Sequence, residues 1–552
     1  MDLLTPISAL GGTIGTGLFL GIGKAFVSSG PLSVLLGYSL TGVAIYAMMQ
    51  CLGEMATWLP LPGAVPQYCA RYVDPALGFA VGWNNWISNS LTLCAEISAA
   101  AIVIGFWNDT INQAAWITLI LALIICLNIF AVSIYGEAEF IFASVKIITI
   151  VGLLLLAFII DLGGSPDQGR LGFRYWSEPW AAMKAYVGVG NTGRFAGLFA
   201  TLVNAAFSYG GVEMVAVAAG EAENPRKNIP KAVKRVFWRI LFFYVLGSIA
   251  IGVIVPADDD RLLSGGAGAA SSPWVIGIVR AGIPVLPHII NAVILTSAAS
   301  SGNAFLYTGS RYLFALAQNG QAPKVFLTCT KAGVPVYCVL ITASVGLLTF
   351  MTVSSGANNV FGWFQTVSSR LERFPLPPLD QSRLTERKTA NNDHLPLHLD
   401  LHPHRFHRLP QGLRRARRHA RRPSLQLQVP ALHSLHGPGL LHHDRRLQRL
   451  ESLHPRRRDR RVQLVDPGLC HCVSLLVSPL ALHFSILLTR SSRYVVIPIY
   501  LGLFIFWKLY KKTKFVKASE ADLWTGKAAL DAEVWPEQVP RNFLEKVWFW
   551  IA

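Results

Sequence analysis

The chain has 552 residues, of which 52% are hydrophobic and 14% are charged, and its formal net charge at pH 7 is +18. Runs of about 20 apolar residues, the length that crosses a bilayer, recur through residues 1–365, which indicates a polytopic membrane protein. The eight cysteines have neither the spacing of a disulfide framework nor that of a metal site, which excludes a small stapled domain.

Nine membrane spans and the start of a tenth are predicted in this region. They cover residues 4–27, 32–56, 76–107, 115–135, 139–162, 196–222, 236–256, 286–317 and 333–352, and the tenth begins near Val360. The first begins at Leu3 without the basic segment and the cleavage site of a signal peptide, so we expect it to be retained as a helix. The predicted fold class is therefore an all-α polytopic membrane protein.

Glycines interrupt the first and the sixth span. The first contains GGTIGTGLFLG (residues 11–21) and the sixth contains FSYGGVE (residues 207–213). The first run is not a dinucleotide-binding loop, because its glycines stand in reverse order and no strand precedes it. Secondary transporters break membrane helices at corresponding positions of two repeats, where the freed backbone groups line a cavity.

The two interruptions are five spans apart, which predicts a five-plus-five inverted repeat. Helix N-termini at such breaks suit a carboxylate, and exposed carbonyls suit an ammonium, so the pair predicts a site for a zwitterion. The alternative is that the glycines only allow close helix packing.

Four ionisable side chains fall within or near the ends of predicted spans, namely Glu54, Glu96, Lys146 and Glu213. Such groups are costly in a bilayer and indicate a pathway or a relay. Lys146 lies seven residues beyond Glu139, about 10 Å along a helix, so it could exchange a proton during transport or extend to the headgroups. Glu213 is the alternative proton carrier, Glu96 could be a structural hydrogen-bond acceptor, and Glu54 lies near a solvated end.

Basic residues in the loops predict the orientation. The connection after the sixth span, ENPRKNIPKAVKR, carries five Lys and Arg residues, whereas the connection after the seventh reads PADDDR. Positively charged loops remain on the cytoplasmic side. Counting spans from this connection, we expect the N-terminus to be cytoplasmic, and the basic end of a last helix at 494–512 places the tail at 513–552 there too.

The segment at 366–493 does not fit the rest of the chain. Residues 370–468 contain 21 Arg and Lys against 9 Asp and Glu, and 11 of the protein's 14 His. A nucleic-acid arm and a histidine-rich metal site are the direct interpretations, but the segment has neither a regular alternation of aromatic and basic residues nor a paired ligand motif. Shifting the reading frame turns most of its His codons into Ile or Thr codons, so we interpret the segment as out of frame or unspliced.

We expect the transcript across codons 365 to 495 to contain a junction or a base change that restores an apolar frame. Sequencing the messenger RNA over this interval tests the interpretation directly. A transcript that encodes the His/Arg tract without any junction or base change would contradict this interpretation.

Several long motifs resemble those of a known family. In chain order they are GGTIGTGLFLG, GEMATWLPLPGAVPQYCARYVDPALGFAVGWNNW, AEISAAAIVIGFW, FASVKIITIVGLL and FSYGGVEMVAVAAGEAENPRKNIPKAVKRVFWRI. They resemble the fungal amino acid permeases of the yeast amino acid transporter family, within the amino acid, polyamine and organocation superfamily. The resemblance covers residues 7 to about 365 and returns at 494–531, and the basic tract replaces the family's tenth and eleventh helices.

The resemblance implies a leucine-transporter-like fold of about twelve membrane helices, of which about ten are recognisable here. It implies a secondary transporter that imports amino acids with protons across the plasma membrane, with no cofactor and no nucleic-acid partner. The residues 1–365 would be the permease core. No nucleophile–base pair, metal motif or phosphate loop points to an enzyme.

Carried over residue by residue, the resemblance assigns roles to both interruptions and to one ionisable residue. The substrate-binding residues implied are Thr13, Ile14, Gly15, Thr16, Gly17, Phe207, Ser208, Gly210 and Gly211. Phe207 also matches an aromatic gate. The resemblance also supports Lys146 as the proton-coupling residue, and Glu213, just past the second interruption, stays the alternative. Asn303 is a polar residue in the eighth span that could instead make an interhelical hydrogen bond.

Two alternatives to transport stay open at this level. One is a sensor of amino acids that keeps the fold without flux. The other is a non-functional product, because the aberrant tract falls where family members have membrane helices.

Overall fold

The structure, a computed structural model, describes thirteen stretches of the chain. They are residues 15–61, 63–107, 110–130, 132–177, 179–186, 189–217, 219, 224–263, 272–331, 333–355, 357–372, 496–517 and 519–527. Thr13 and Ile14 of the expected binding site, and most of the anomalous segment at 366–493, lie outside these residues. The described residues belong to one compact unit.

Helices account for the regular structure of the described residues, which contain no strand. In chain order the α-helices are α1 (Ile22–Ser29), α2 (Pro31–Trp58), α3 (Val65–Tyr72), α4 (Pro75–Ile104), α5 (Gln113–Phe130), α6 (Val132–Asp161), α7 (Gly190–Ser208), α8 (Met214–Val217), α9 (Pro225–Ile254), α10 (Asp260–Leu263), α11 (Pro273–Arg280), α12 (Leu286–Gln318), α13 (Val336–Val345), α14 (Thr352–Ser355), α15 (Ala357–Glu372) and α16 (Val496–Lys511). A π-helical turn, Gly17–Gly21, precedes α1, and a 3-10 turn, Gly346–Met351, follows α13.

Five helices of the described residues are long and apolar enough to cross a bilayer. They are α2, α4, α5, the Ile141–Asp161 part of α6, and α12. Three shorter apolar segments, Gly17–Ser29, Phe242–Ile254 and Val336–Met351, overlap the predicted first, seventh and ninth spans. The prediction of an all-α polytopic membrane protein is confirmed.

Several observed helices differ in extent from the predicted spans; α9, for example, begins at Pro225 although the seventh span was expected from residue 236. The fifth span was expected to begin at residue 139, but α6 begins at Val132. The apolar run is interrupted by the charge of Glu139, so hydropathy places the start of the span there. The helix itself continues through Glu139, because the Ser300 hydroxyl donates a hydrogen bond to this buried carboxylate. The predicted sixth span divides into α7 and α8 around residues 209–213, because its glycines interrupt the helix.

The long helix α4 lies at the centre of the molecule, with 94% of its most apolar window buried. Helices α12, α15, α3 and α16 pack around it. Its sequence is rich in Ala and Ser, which allow close approach of neighbouring backbones. The hydroxyls of Ser90, Thr92 and Ser98 donate to carbonyls one turn earlier at 2.8–2.9 Å, so that these polar groups are satisfied inside the helix itself.

Asp74 ties the C-terminal segment to the start of α4. One carboxylate oxygen accepts the Ala76 N–H at 2.8 Å and so caps the helix, and it also accepts the Thr513 hydroxyl at 2.7 Å. The other oxygen pairs with the Lys508 ammonium at the end of α16. The Asp74 side chain is fully buried, whereas its partner Lys508 is 25% exposed.

Replacing this carboxylate is expected to destabilise the bundle. Asp74→Ala should lower the free energy of unfolding by about 2 kcal/mol, the upper range for a helix cap, because it also leaves Lys508 without its partner. Asp74→Asn keeps an oxygen for the Ala76 N–H and should lose less. Thermal unfolding of the detergent-purified protein measures both, and an unchanged unfolding midpoint for Asp74→Ala would contradict the assignment.

Candidate functional site between the interrupted helices

The predicted interruption of the sixth span occurs in the structure, and the described residues of the first span begin at the end of the other predicted interruption. Gly15 is not helical, and the helical turn of the first span begins after Thr16. In the sixth span α7 ends at Ser208, and Gly211 has φ +89°, a conformation that only glycine adopts without strain. The Gly210 N–H donates to the Phe207 carbonyl at 3.1 Å, which closes the turn.

The two interruptions lie against each other. A Cβ atom on Gly17 would be 2.9 Å from both Cα and Oγ of Ser208, which is closer than real Cβ atoms approach other atoms. The Asn204 side chain, one turn before the second interruption, donates to the Gly21 carbonyl at 2.8 Å. The close packing weighed as an alternative for these glycines is therefore present at Gly17.

A small cavity opens at this contact. Its lining comes from four helical segments and consists of Gly15, Gly17, Thr92, Glu96, Phe207, Ser208, Gly210, Ser301 and Phe305. Five of these nine were expected from the sequence, namely Gly15, Gly17, Phe207, Ser208 and Gly210. Thr16 and Gly211 are buried beside it without lining it.

Glu96 is the acidic group of this cavity. Its two carboxylate oxygens each accept the Thr16 N–H at 3.3 Å, so the carboxylate lies at the N-terminus of the first-span helix. A negative group is favoured there by the unpaired N–H groups and by the helix dipole. A Cβ atom on Gly15 would overlap this carboxylate and would be 2.8 Å from the Ser301 Oγ, so a glycine is required for the approach.

This arrangement modifies the expected role of the first interruption. The Thr16 N–H, expected to face a substrate carboxylate, is bonded to Glu96, which the sequence suggested only as a possible structural acceptor. The reason is tertiary, since α4 brings a carboxylate from 80 residues away to the helix end.

Three tyrosines surround the second interruption, and one of them, Tyr244, satisfies a backbone carbonyl freed there. The Tyr244 hydroxyl donates to the Ser208 carbonyl, and the hydroxyls of Tyr38 and Ser208 are 2.9 Å apart. The Tyr209 hydroxyl donates to the Tyr38 carbonyl at 3.2 Å. An interrupted helix inside a bilayer needs such partners, because lipid offers none.

Lys146 on α6 is only 1% exposed. Its ammonium donates to the Ser300 Oγ of α12 at 3.0 Å, and that hydroxyl donates to the Glu139 carboxylate at 2.7 Å and 2.9 Å. The side chain therefore turns into the protein, and the alternative in which it extends to the headgroups does not describe this geometry. Glu139, which the sequence used only as a reference point, is equally buried.

The remaining expected residues have these positions. Phe207 is buried, and its ring meets the Phe361 ring edge to face with centroids 6.3 Å apart. Asn303 accepts a hydrogen bond from the Asn128 side chain at 2.6 Å, which is the interhelical bond considered for it. Glu213 is half-buried in the turn before α8 and does not line the cavity.

Four cavity residues were not predicted as site residues: Thr92, Glu96, Ser301 and Phe305. Glu96 could have been recognised from the sequence, because a carboxylate within a span is costly unless it has a function or a partner. The others could not, since Ser, Thr and Phe are common in membrane helices for packing.

Known proteins support a family assignment. The family model described as amino acid permease matches residues 7–372. A proline-specific permease of Emericella nidulans is 37% identical over 98% of this chain and 91% of its own length. A probable proline-specific permease of Schizosaccharomyces pombe is 39% identical over 98% of this chain and 90% of its own. A lysine-specific permease of Saccharomyces cerevisiae is 44% identical over 65% of this chain and 59% of its own.

These matches cover both interruptions, the cavity and Lys146, and the chain therefore belongs to the amino acid permease family, as its motifs predicted.

Proposed function

We propose that this permease imports amino acids into the cell by proton symport with alternating access. The observation that carries the proposal is the cavity between the two interrupted helices, which offers backbone groups, hydroxyls and one carboxylate in a small volume. These are the few placed polar groups that fix a small zwitterionic ligand in a site.

The cavity can bind both charges of a zwitterion. The backbone from Thr13 to Gly17 and the hydroxyls of Ser208 and Ser301 would bind the carboxylate. The Glu96 carboxylate and the carbonyls near Ile14 would bind the ammonium. We propose that substrate displaces Glu96 from the Thr16 N–H, so that the helix end accepts the substrate carboxylate while Glu96 meets the ammonium.

Lys146 is the proposed proton-coupling residue. An amine held away from water can exist with or without its proton, which a cycle of proton uptake and release requires. The buried position of Lys146 and its contact with Ser300 support this role. Glu213, next to the second interruption, is the alternative carrier.

We propose a plasma-membrane location with both termini cytoplasmic. The Trp58 side chain at the end of α2 donates to the Leu523 carbonyl at 3.1 Å, so the tail and this connection lie at the same end of the bundle. The charge-based orientation requires both to be cytoplasmic.

Uptake of a panel of labelled amino acids tests the function. The panel includes proline, because the two relatives that match 98% of the chain are named for proline, and lysine, named in a third. Permease-deficient cells would express the chain as encoded and a form with an apolar frame restored over 366–493. We expect the restored form to concentrate at least one amino acid. A surface-localised restored form that binds an amino acid without uptake would show a sensor, and uptake by neither form would show a non-functional product.

A further inference from the structure

Lys146, Ser300 and Glu139 form a chain of hydrogen bonds separate from the cavity lining. The Lys146 ammonium is 3.0 Å from the Ser300 Oγ, which is 2.7 Å and 2.9 Å from the two oxygens of Glu139. All three side chains are at most 3% exposed. The distances are those of charge-assisted hydrogen bonds, which a buried network needs in order to be stable.

The chemistry of the three groups fixes the direction of these bonds. An ammonium can only donate, and an ionised carboxylate can only accept. The hydroxyl between them must therefore accept from Lys146 and donate to Glu139. A hydroxyl in this arrangement can pass a proton on, because it receives one on its oxygen as it releases its own.

The position of Glu139 gives the chain a direction in the membrane. Glu139 precedes Lys146 by seven residues, or about 10 Å along α6. In the orientation set by the basic loops, the start of this helix faces the cytoplasm. Glu139 thus lies between Lys146 and the inner side of the membrane.

We infer that Glu139 is the inner proton acceptor, and that Ser300 carries the proton to it from Lys146. The inference rests on the proposed symport. In this step the Lys146 ammonium gives a proton to the Ser300 oxygen, and the Ser300 hydroxyl gives its own proton to the Glu139 carboxylate. The products are a neutral amine, an unchanged hydroxyl and a carboxylic acid, which releases its proton to water on the cytoplasmic side when that side opens.

The charges around the pair suit such an exchange. Among the described side chains, the charged groups that act on Lys146 are Glu139 on its own helix and Glu96 on α4. The charged group that acts on Glu139 is Lys146, and α12 adds the Ser300 hydroxyl. The charge on Lys146 therefore acts on both the carboxylate of the cavity and the carboxylate of the inner side.

Liposomes containing the full-length transporter test the inference. With the membrane potential clamped and the outside one pH unit more acidic, symport of one proton supports about tenfold accumulation of the substrate that the uptake panel identifies. We expect Glu139→Gln, which keeps an oxygen for the Ser300 hydroxyl but cannot be protonated, to lose this accumulation while exchanging labelled for unlabelled substrate. Ser300→Ala should behave in the same way, and Ser300→Thr, which keeps the hydroxyl, should restore accumulation.

The possible failures are distinguishable. If wild type exchanges substrate but does not accumulate it, the proposed symport fails and the relay fails with it. If wild type and Glu139→Gln both accumulate substrate, the symport stands and Glu139 is only a partner that positions Lys146. If a variant is inactive altogether, infrared spectroscopy tests the inference instead. As the pH is lowered, the spectrum of the wild type should gain a carboxylic acid band that the spectrum of Glu139→Gln lacks. Identical spectra for the two proteins would overturn the inference.

Discussion

Lys146→Met is expected to abolish accumulation driven by a proton gradient while leaving substrate exchange. A methionine fills a similar space without a titratable group, so the bond to Ser300 is lost and the carboxylates of Glu96 and Glu139 lose their cation. Accumulation under a one-unit pH gradient should fall from about tenfold to that of passive equilibration. Uptake of labelled substrate into liposomes at several external pH values measures this.

Folding must be controlled, because removing one partner of a buried ion pair costs about 3–5 kcal/mol. Lys146→Arg keeps the positive charge but cannot give up its proton, so it should fold and still fail to accumulate substrate. The double variant Lys146→Met with Glu139→Gln removes both buried charges and should recover much of the stability lost in Lys146→Met alone. It should not recover accumulation.

One result would show that a residue other than Lys146 couples transport to protons. If Lys146→Met reaches the membrane in normal amounts and still concentrates substrate when the outside is acidic, Lys146 is a structural cation. Glu213 would then be the residue to replace next, since it adjoins the second interruption.

Gly17→Ala is expected to abolish uptake while surface expression is retained. The added Cβ would lie 2.9 Å from the Ser208 Cα, so the two interrupted helices must separate and the cavity between them must change shape. Overpacking of this kind costs about 1–3 kcal/mol, which the bundle can tolerate. A loss of the same size in transition-state stabilisation lowers uptake by about 5-fold to 150-fold.

Gly152→Ala is the matched control. Gly152 lies on α6, and a Cβ atom there would have no atom within 4 Å. The control should transport like wild type, and fluorescence of tagged proteins compares the amounts at the surface. Equilibrium binding of labelled substrate to the purified variants distinguishes the two interpretations of Gly17. A loss of affinity supports a binding role, whereas normal affinity with lowered thermal stability indicates that Gly17 serves packing alone.

The sequence alone determined the membrane class and the interruption of the sixth span, and it singled out Lys146 as a candidate. These features are local. Backbone groups in a bilayer must be satisfied within the same segment, so apolar length predicts a helix and repeated glycines predict its interruption. A lysine seven residues inside an apolar run is conspicuous without any knowledge of its neighbours, because a buried charge needs a partner or a function.

Only the tertiary structure decided which groups meet. The Glu96 carboxylate reaches a helix end 80 residues earlier, and Ser300 joins Glu139 from 161 residues away. No local pattern encodes these pairs, since serines and glutamates in membrane helices have many possible partners. The start of α6 at Val132 was missed for the same reason: hydropathy counts Glu139 as an end of the span, whereas the folded protein supplies the hydroxyl that makes its burial possible.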